Sequence, residues 1–202
     1  NEALQGTTHN QNASLGEATP NHFESGTWIA TQLTSNLDLQ RSFDIGLDKP
    51  LDLSWGLEHR RDTYQVRDGD WASWANGGYC RAPGDCAASG AQVTNGISPD
   101  EATSTSRNSV ASYIEVGFNP LPQWYWGAAL RYDHYSDVGN STTGKLSFRW
   151  NPTRTFLLRG SVGTGFHAPS PGQNNVQVLT TTFVAGDQVQ VGTYPVTSSI
   201  AQ

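Results

Sequence analysis

The sequence predicts an all-β chain whose antiparallel, up-and-down strands form part of a transmembrane β-barrel, about six strands of a larger one. Three observations point there. Apolar residues recur at every second position over several stretches, which is the period of a half-buried strand rather than a helix. The tight turns fall at one end of the strand order, and the longer polar connections fall at the other. Aromatic residues collect at strand ends, where amphipathic rings suit the two interfaces of a membrane.

Composition agrees with this class. The 202 residues are 36% hydrophobic and 15% charged, with 21 Gly, and much of the rest is Ser, Thr, Asn and Gln. Such a mixture disfavours helices and suits strands joined by turns. A net charge of −6 without any Lys/Arg run or basic helical face gives no support to a nucleic-acid partner. No apolar run approaches the ~18 residues of a membrane helix, and no signal peptide is present. A barrel strand needs only about 9–11 residues with alternate apolar positions. The chain has no Met and begins with Asn1. These features predict an interior stretch of a longer polypeptide.

Taken in order, residues 1–27 read as loop and residues 28–66 as a hairpin. In its first strand, Leu33, Ser35, Leu37, Leu39, Phe43 and Ile45 share one face, and Asn36, Asp38, Gln40, Ser42 and Asp44 share the other. Asp48-Lys49-Pro50 turns the chain. Leu51, Leu53, Trp55 and Leu57 then oppose Asp52, Ser54, Glu58, Arg60 and Asp62. Residues 67–106 form a long polar loop, expected to be extracellular. Residues 107–167 hold four more strands. The first sets Val110, Ile114, Val116 and Phe118 against Tyr113, Glu115 and Gly117, and Asn119-Pro-Leu-Pro122 turns it. The next runs from Trp124 to Tyr135, with Ala128, Leu130 and Tyr132 opposite Arg131 and Asp133. A short loop near Gly139 leads to Lys145–Trp150, and Asn151-Pro-Thr-Arg154 turns into Phe156–Phe166. Residues 168–202 read as loop, with an extended piece near 180–184.

Trp124, Trp126, Trp150 and Phe156 lie beside the tight turns, and Tyr64, Tyr132, Tyr135 and Phe166 lie toward the far ends. The charges Glu58, Arg60, Asp62, Arg131, Asp133, Lys145, Arg149 and Arg159 occupy the polar face and are candidates for the wall of a wet lumen. They would equally suit the exposed face of a soluble sheet, so alternation alone does not separate barrel from sandwich. In the long loop, Trp71, Trp74 and Tyr79 are candidates for ligand contact, with packing of the loop as the competing role. Cys80 and Cys86 flank a Pro83-Gly84 turn, which predicts a small disulfide loop in an oxidising compartment. A metal centre would need more ligands than Asp85 supplies.

Other motifs carry little. Gly139, Gly144 and Lys145 have phosphate-loop spacing, but Leu146 stands where Ser or Thr is needed, and a strand follows instead of a helix. Gly163-Thr-Gly-Phe-His-Ala168 mimics a dinucleotide fingerprint, but Pro169 and Pro171 forbid the helix; glycines here relieve crowding against bulky neighbours. His134 and Asp133 point to opposite faces and make no dyad. His9, His22 and His59 lack metal-ligand spacing. Asn12-Ala-Ser and Asn140-Ser-Thr fit a glycosylation pattern that is uninformative in bacteria. No catalytic residue, cofactor site or metal site is assigned.

Three blocks resemble the barrel of TonB-dependent outer-membrane receptors. They are Arg131-Tyr-Asp-His-Tyr-Ser-Asp-Val-Gly139, Lys145-Leu-Ser-Phe-Arg-Trp-Asn-Pro152 and Leu158-Arg-Gly-Ser-Val-Gly-Thr-Gly-Phe-His-Ala-Pro-Ser170. His167 stands where the family carries Arg. Asn36–Asp44 and Trp55–Tyr64 are similar to the family more weakly, so the resemblance covers most of residues 28–170. It implies a barrel of about 22 strands with an N-terminal plug. It further implies uptake of a scarce ligand such as a ferric siderophore or cobalamin, driven by the inner-membrane energy-coupling complex. On this reading the bilayer and the protein's own plug are partners, and the location is the bacterial outer membrane. The plug is expected to lie outside these residues. The competing classes are another outer-membrane channel or barrel protein and a soluble β-sandwich binding module.

Overall fold

The computed structural model describes residues 2–8, 11–92, 95–184 and 187–195. His9 and the part of the expected final loop beyond residue 195 lie outside the described residues. The strands are β1 (Glu2–Thr8), β2 (Phe23–Phe43), β3 (Lys49–Arg67), β4 (Cys80–Ala82), β5 (Asp85–Cys86), β6 (Thr103–Leu121), β7 (Trp124–Tyr135), β8 (Gly139–Thr153), β9 (Phe156–Gly163), β10 (Val178–Val184) and β11 (Asp187–Thr193). Two short helices, α1 (Trp71–Trp74) and α2 (Pro171–Asn175), and a 3₁₀ turn (Ala13–Ala18) complete the elements. One seven-stranded sheet has the order β1-β2-β3-β6-β7-β8-β9, and β4-β5 and β10-β11 form separate hairpins. The up-and-down order is the one the periodicity predicts.

Three elements differ from the sequence expectation. Residues 1–27, expected as loop, contain β1, which pairs antiparallel with β2 from Glu2↔Ala30 to Thr8↔Phe23. Its sequence Glu-Ala-Leu-Gln-Gly-Thr-Thr carries one large apolar residue, so no alternation announces it; the paired edge of β2 makes it a strand. β2 begins at Phe23 rather than Trp28, because Gly26 at φ +121° interrupts the alternation. A Cβ at Gly26 would run into the Ile97 side chain and the Arg67 carbonyl, so only glycine fits. Residues 168–202, read as loop around one extended piece, hold α2 and the β10-β11 hairpin.

The chain divides into two compact units. One comprises Asn1–Gln32, Asp62–Ser106 and Pro169–Gln202; the other comprises Leu33–Arg61 and Arg107–Ala168.

The second unit carries the three tight turns and the two-faced strands. Register places Trp124↔Trp150, Trp126↔Phe148 and Ala128↔Leu146 on one side of β7 and β8, and Leu146↔Val162 and Trp150↔Leu158 continue it onto β9. Ile114↔Leu130 and Phe118↔Trp126 extend the same side to β6. Leu33, Leu37, Leu39, Ile114, Leu130, Leu146, Leu158 and Val162 are all exposed, and Val162 shows 71% of its surface. A row of large exposed apolar residues is costly in water and natural against lipid. The opposite side reads Tyr113↔Arg131↔Thr143 and Tyr125↔Arg149↔Arg159.

Beside the tight turns, Trp124 stacks on Trp126 with centroids 6.1 Å apart and on Trp150 at 5.4 Å. Trp150 meets Phe156 edge-on at 6.0 Å. This is the expected girdle at that end. The far end differs. Tyr132 lies on the apolar face, but Tyr135 pairs with Ser109 and Gly139 on the polar face, and Tyr64 shares the parity of Glu58, Arg60 and Asp62. Strand parity therefore removes Tyr135 and Tyr64 from any belt on the apolar side. The β7-β8 connection is also short: only Ser136–Val138 separate the strands. Arg107, 2% exposed, clamps this turn by binding both carboxylate oxygens of Asp137 at 2.6–2.9 Å. Among the glycines read as relieving crowding, Gly163 approaches the Gly144 carbonyl rather than a bulky side chain, and Gly165 has open space. Gly160 is the one in this strand that lies against a ring, that of Phe148.

The first unit folds a long connection with few apolar residues. Its core is Phe23, Ala72 and Ala91, with Leu15 against them. Hydrogen bonds fill the role that a larger core would have. Asn12 is fully buried and donates from Nδ2 to the Ala72 carbonyl at 2.9 Å and the Ala75 carbonyl at 2.8 Å. Its Oδ1 accepts from the Ser14 amide and hydroxyl. The Ser73 carbonyl accepts from the Ala91 and Gly96 amides. The burial of Asn12 rules out glycan attachment there.

Two outcomes follow from this architecture. Leu130→Arg places a charge on the apolar face and is expected to cost about 2–4 kcal/mol on folding into lipid vesicles, whereas Ala129→Arg, on the polar face between Glu115 of β6 and Lys145 of β8, costs under about 1 kcal/mol. Urea titration in vesicles measures both. Asn12→Ala removes the Asn12 donor from the Ala72 carbonyl and one of three donors from the Ala75 carbonyl, which keeps Ser14 and Gly90, at about 1–3 kcal/mol. Limited proteolysis should then cut residues 68–102 faster while the far-UV strand signal persists; an unchanged digestion rate would show that the asparagine is dispensable.

Candidate functional site

The polar face gathers charge in two contrasting ways. On β3 and β7, Arg131 is fully compensated. Its Nη2 donates to Glu58 Oε1 at 2.9 Å and Asp133 Oδ1 at 2.9 Å, and its Nε donates to both Asp133 oxygens at 3.0 and 3.1 Å. Asp133 is buried, and Arg131 gives its carboxylate charged donors there. Nearby on the same face, the Tyr113 hydroxyl donates to Asp38. The Tyr113 ring lies across Gly56, where any Cβ would collide with it. Ser42 donates to Asp52 at 2.6 Å, and Gln32 donates to Asp62 at 2.8 Å. Thus Glu58, Arg131 and Asp133 are brought together, while Asp62 is held by a carboxamide 30 positions away.

On β8 and β9 the same face is cationic. Arg149 and Arg159 are direct cross-strand partners, Ser147 and Ser161 are the next pair, and Lys145 lies opposite Gly163. None of these three cations has an ion pair among the described residues. Arg149 sits 5.6 Å from the centre of the Tyr125 ring, which shields one side of the guanidinium by cation–π attraction. Like charges directly opposite on a sheet repel, so the Arg149–Arg159 pair weakens this ladder unless it is screened.

The loop aromatics separate by role. Trp74 is half-buried and donates from its indole nitrogen to the Gly69 carbonyl at 3.2 Å, so it packs the loop. The Tyr79 ring lies against Gly16, and its amide donates to the Ser14 carbonyl at 2.9 Å, although much of the ring remains exposed. Trp71 shows 61% of its surface, the most exposed of the three. Cys80 and Cys86 are joined by a disulfide and pair across the β4-β5 hairpin. His134, on the apolar face, contacts its cross-strand partner Asn140 through Nδ1 at 2.6 Å. No cluster of His, Cys, Asp or Glu suited to a metal occurs among the described residues.

The sequence pattern did not mark Asn12, Arg107 or the Tyr113–Asp38 bond. Asn12 looked only like a glycosylation motif. Its partners lie 60 and 63 positions away, so no local pattern marks it.

The family model described as TonB dependent receptor-like, beta-barrel, matches residues 3–198. The chain belongs to the TonB-dependent receptor family. Its two-faced sheet is accordingly a piece of a transmembrane receptor barrel, a structure of the Gram-negative outer membrane. Among solved structures, the siderophore receptor PirA from Acinetobacter baumannii resembles it with a TM-score of 0.55 and 20% identity over 84% of this chain. That likeness is one of fold. It covers 22% of PirA, so this piece of a TonB-dependent receptor spans about a fifth of that chain. No curated protein matches the chain in sequence.

Replacing Arg131 tests the compensated cluster. Arg131→Met should destabilise the folded barrel by about 2–3 kcal/mol, since Glu58 and the buried Asp133 lose a charged donor. The double variant Arg131→Met/Glu58→Gln should lose less than the two single variants summed. Strict additivity in urea unfolding would show that Arg131 and Glu58 act independently.

Proposed function

We propose that this chain forms part of the barrel of an outer-membrane receptor that actively takes up a scarce ligand, such as a ferric siderophore or cobalamin. The family match over almost the whole sequence carries the reading. In this mechanism the apolar face meets lipid. The polar face, with Glu58, Arg60, Asp62, Arg131, Asp133, Lys145, Arg149 and Arg159, lines the lumen and faces a plug domain supplied outside these residues. The plug transmits work from the inner-membrane energy-coupling complex. The loops capture ligand, and exposed Trp71 and Tyr79 suit that task better than Trp74, which is committed to packing. Turnover of the ligand is not part of the role: the protein acts as a receptor and transporter, not as an enzyme.

The test is fractionation and uptake. The complete protein should partition to the outer membrane and migrate as a heat-modifiable band. Cells lacking its gene should fail to accumulate one ferric-chelate or corrinoid ligand, and dissipating the proton gradient should stop uptake in cells that carry it. Uptake unaffected by loss of the gradient would make it a passive channel. Cooperative monomeric folding in plain buffer would make it a soluble sandwich.

A further inference from the structure

The apolar face of the second unit ends in polar groups at the end opposite the tight turns. On β3, Leu51, Leu53, Trp55 and Leu57 are followed on the same side by His59 and Arg61. On β7, the run from Trp124 to Leu130 is followed by Tyr132 and His134. Bonds on the other side of the sheet fix these directions. Glu58 and Asp133 meet Arg131 on the polar face, and Asp62 meets Gln32 there. Their chain neighbours His59, Arg61, Tyr132 and His134 therefore point the opposite way, and all four are exposed.

The height of this group matches a membrane boundary. His134 lies ten residues beyond Trp124 on β7. That is about 33 Å of strand, or about 25 Å of height at a tilt of about 40°, which is the height of the lipid-facing band of a barrel. The 2.9 Å bond between Glu58 and Arg131 sets β3 level with β7 across the intervening β6. Arg61 and His134 thus stand at similar heights, about 10 Å apart across two strand spacings. Asn140 of β8 lies opposite His134 and holds its ring through Nδ1.

Charge on this face has one sign. The apolar-side positions from Leu33 to Phe43, Leu51 to Arg61, Asn108 to Phe118, Trp124 to His134, Asn140 to Trp150 and Phe156 to Val162 include Arg41, His59, Arg61 and His134, but no Asp or Glu. Asp38, Asp52, Glu58, Glu115 and Asp133 all occupy the polar side. This holds although the chain as a whole is acidic, at −6. Exclusion of charge from lipid does not account for the sign, because Arg and Lys cost more than Asp and Glu on a lipid-facing strand. An anion at the boundary does account for it. Neither His59 nor Arg61 has a hydrogen-bond or ion-pair partner among the described residues. Arg41 stands at the tight-turn end of the face, 5.3 Å from the centre of the Phe43 ring.

We propose that the far boundary of the apolar face binds the headgroup phosphate of an anionic membrane lipid, held by Arg61 and His59 with His134 and Asn140 beside it, while the acyl chains lie along Leu57, Leu130 and Leu146. The planar guanidinium of Arg61 offers paired N–H donors to phosphate oxygens. The leucines below it supply apolar contact that a free phosphate lacks. The site depends on the barrel's place in a membrane and not on which ligand the receptor imports.

The experiment uses the complete protein in a neutral detergent and counts bound lipid by native mass spectrometry. The probes are dioctanoyl phosphatidic acid, phosphatidylcholine with the same chains, and inorganic phosphate. Phosphatidic acid should saturate one site, and phosphatidylcholine should bind at least about fivefold more weakly. Inorganic phosphate at equal concentration should not displace the lipid. Arg61→Gln should weaken phosphatidic acid by about fivefold in protein that keeps its heat-modifiable mobility, whereas Arg41→Gln, on the same face at the other end, should leave it unchanged. If Arg61→Gln fails to fold, the double variant His59→Gln/His134→Gln decides, with the same fall of about fivefold expected. The proposal is overturned if the two lipids bind equally or if wild-type affinity survives in the deciding variant. Displacement by inorganic phosphate would make this a bare anion site, and an equal loss in Arg41→Gln would show attraction to the whole face; either result also overturns it. Uptake of the imported ligand is a separate measurement, so failure here leaves the receptor reading standing.

Discussion

Register between neighbouring strands is the constraint on which the other features depend. In a medium without hydrogen-bonding solvent, every strand amide and carbonyl must find its partner on the adjacent strand. Side chains alternate with a period of two, so a slip of one residue would move Leu146 and Trp150 to the polar face and Lys145 and Arg149 into lipid. The tight turns hold the register at one end. There Asn119 donates from Nδ2 to the Trp124 carbonyl at 2.7 Å, and the Asn151 amide donates to the Gln123 carbonyl at 2.9 Å. At the other end the Arg107–Asp137 clamp ties the start of β6 to the β7-β8 turn. The stacked Trp124, Trp126 and Trp150 contribute about 0.5–1.5 kcal/mol per ring pair beyond burial, and the Trp124–Trp150 pair meets across β7 and β8 only in this register.

Given that register, the polar face becomes a designed surface rather than a scatter of charges. Arg131 satisfies two carboxylates at once, and one of them, Asp133, is buried and would be costly alone. The β8-β9 ladder makes the opposite choice, with Arg149, Arg159 and Lys145 lacking an acidic partner among the described residues. The polar face thus combines a charge-compensated part around Arg131 with a cationic part around Arg149 and Arg159.

The first unit solves a different problem, how to order a long Gly- and Ser-rich connection without a large core. Buried amides and hydroxyls do so through specific bonds, chiefly from Asn12, Ser14 and Ser73. Such networks are stiff when complete, because each unpaired buried group is expensive. Stiffness in turn leaves a stable hollow beside Trp28 and Tyr64 instead of letting the loop collapse into it.

How much was legible in the sequence follows from the range of the interactions. Alternation is local: Leu37 and Asp38, or Leu146 and Arg149, reveal their faces from neighbours two residues away, and Pro50, Pro120 and Pro152 mark the turns by removing donors. The sequence by itself therefore determined the strand type, the two faces, the turn end with its aromatic girdle, and the cysteine loop. It also carried the blocks that resemble the family. Only the tertiary structure decided that β1 is a strand, because an edge partner 20-odd positions along supplies its hydrogen bonds. It alone decided that Trp74 packs while Trp71 is exposed, that Tyr64 lines a cavity, and that Asn12 is buried. Those outcomes rest on contacts between residues tens of positions apart, and no short-range pattern encodes which distant carbonyl or ring a side chain will meet.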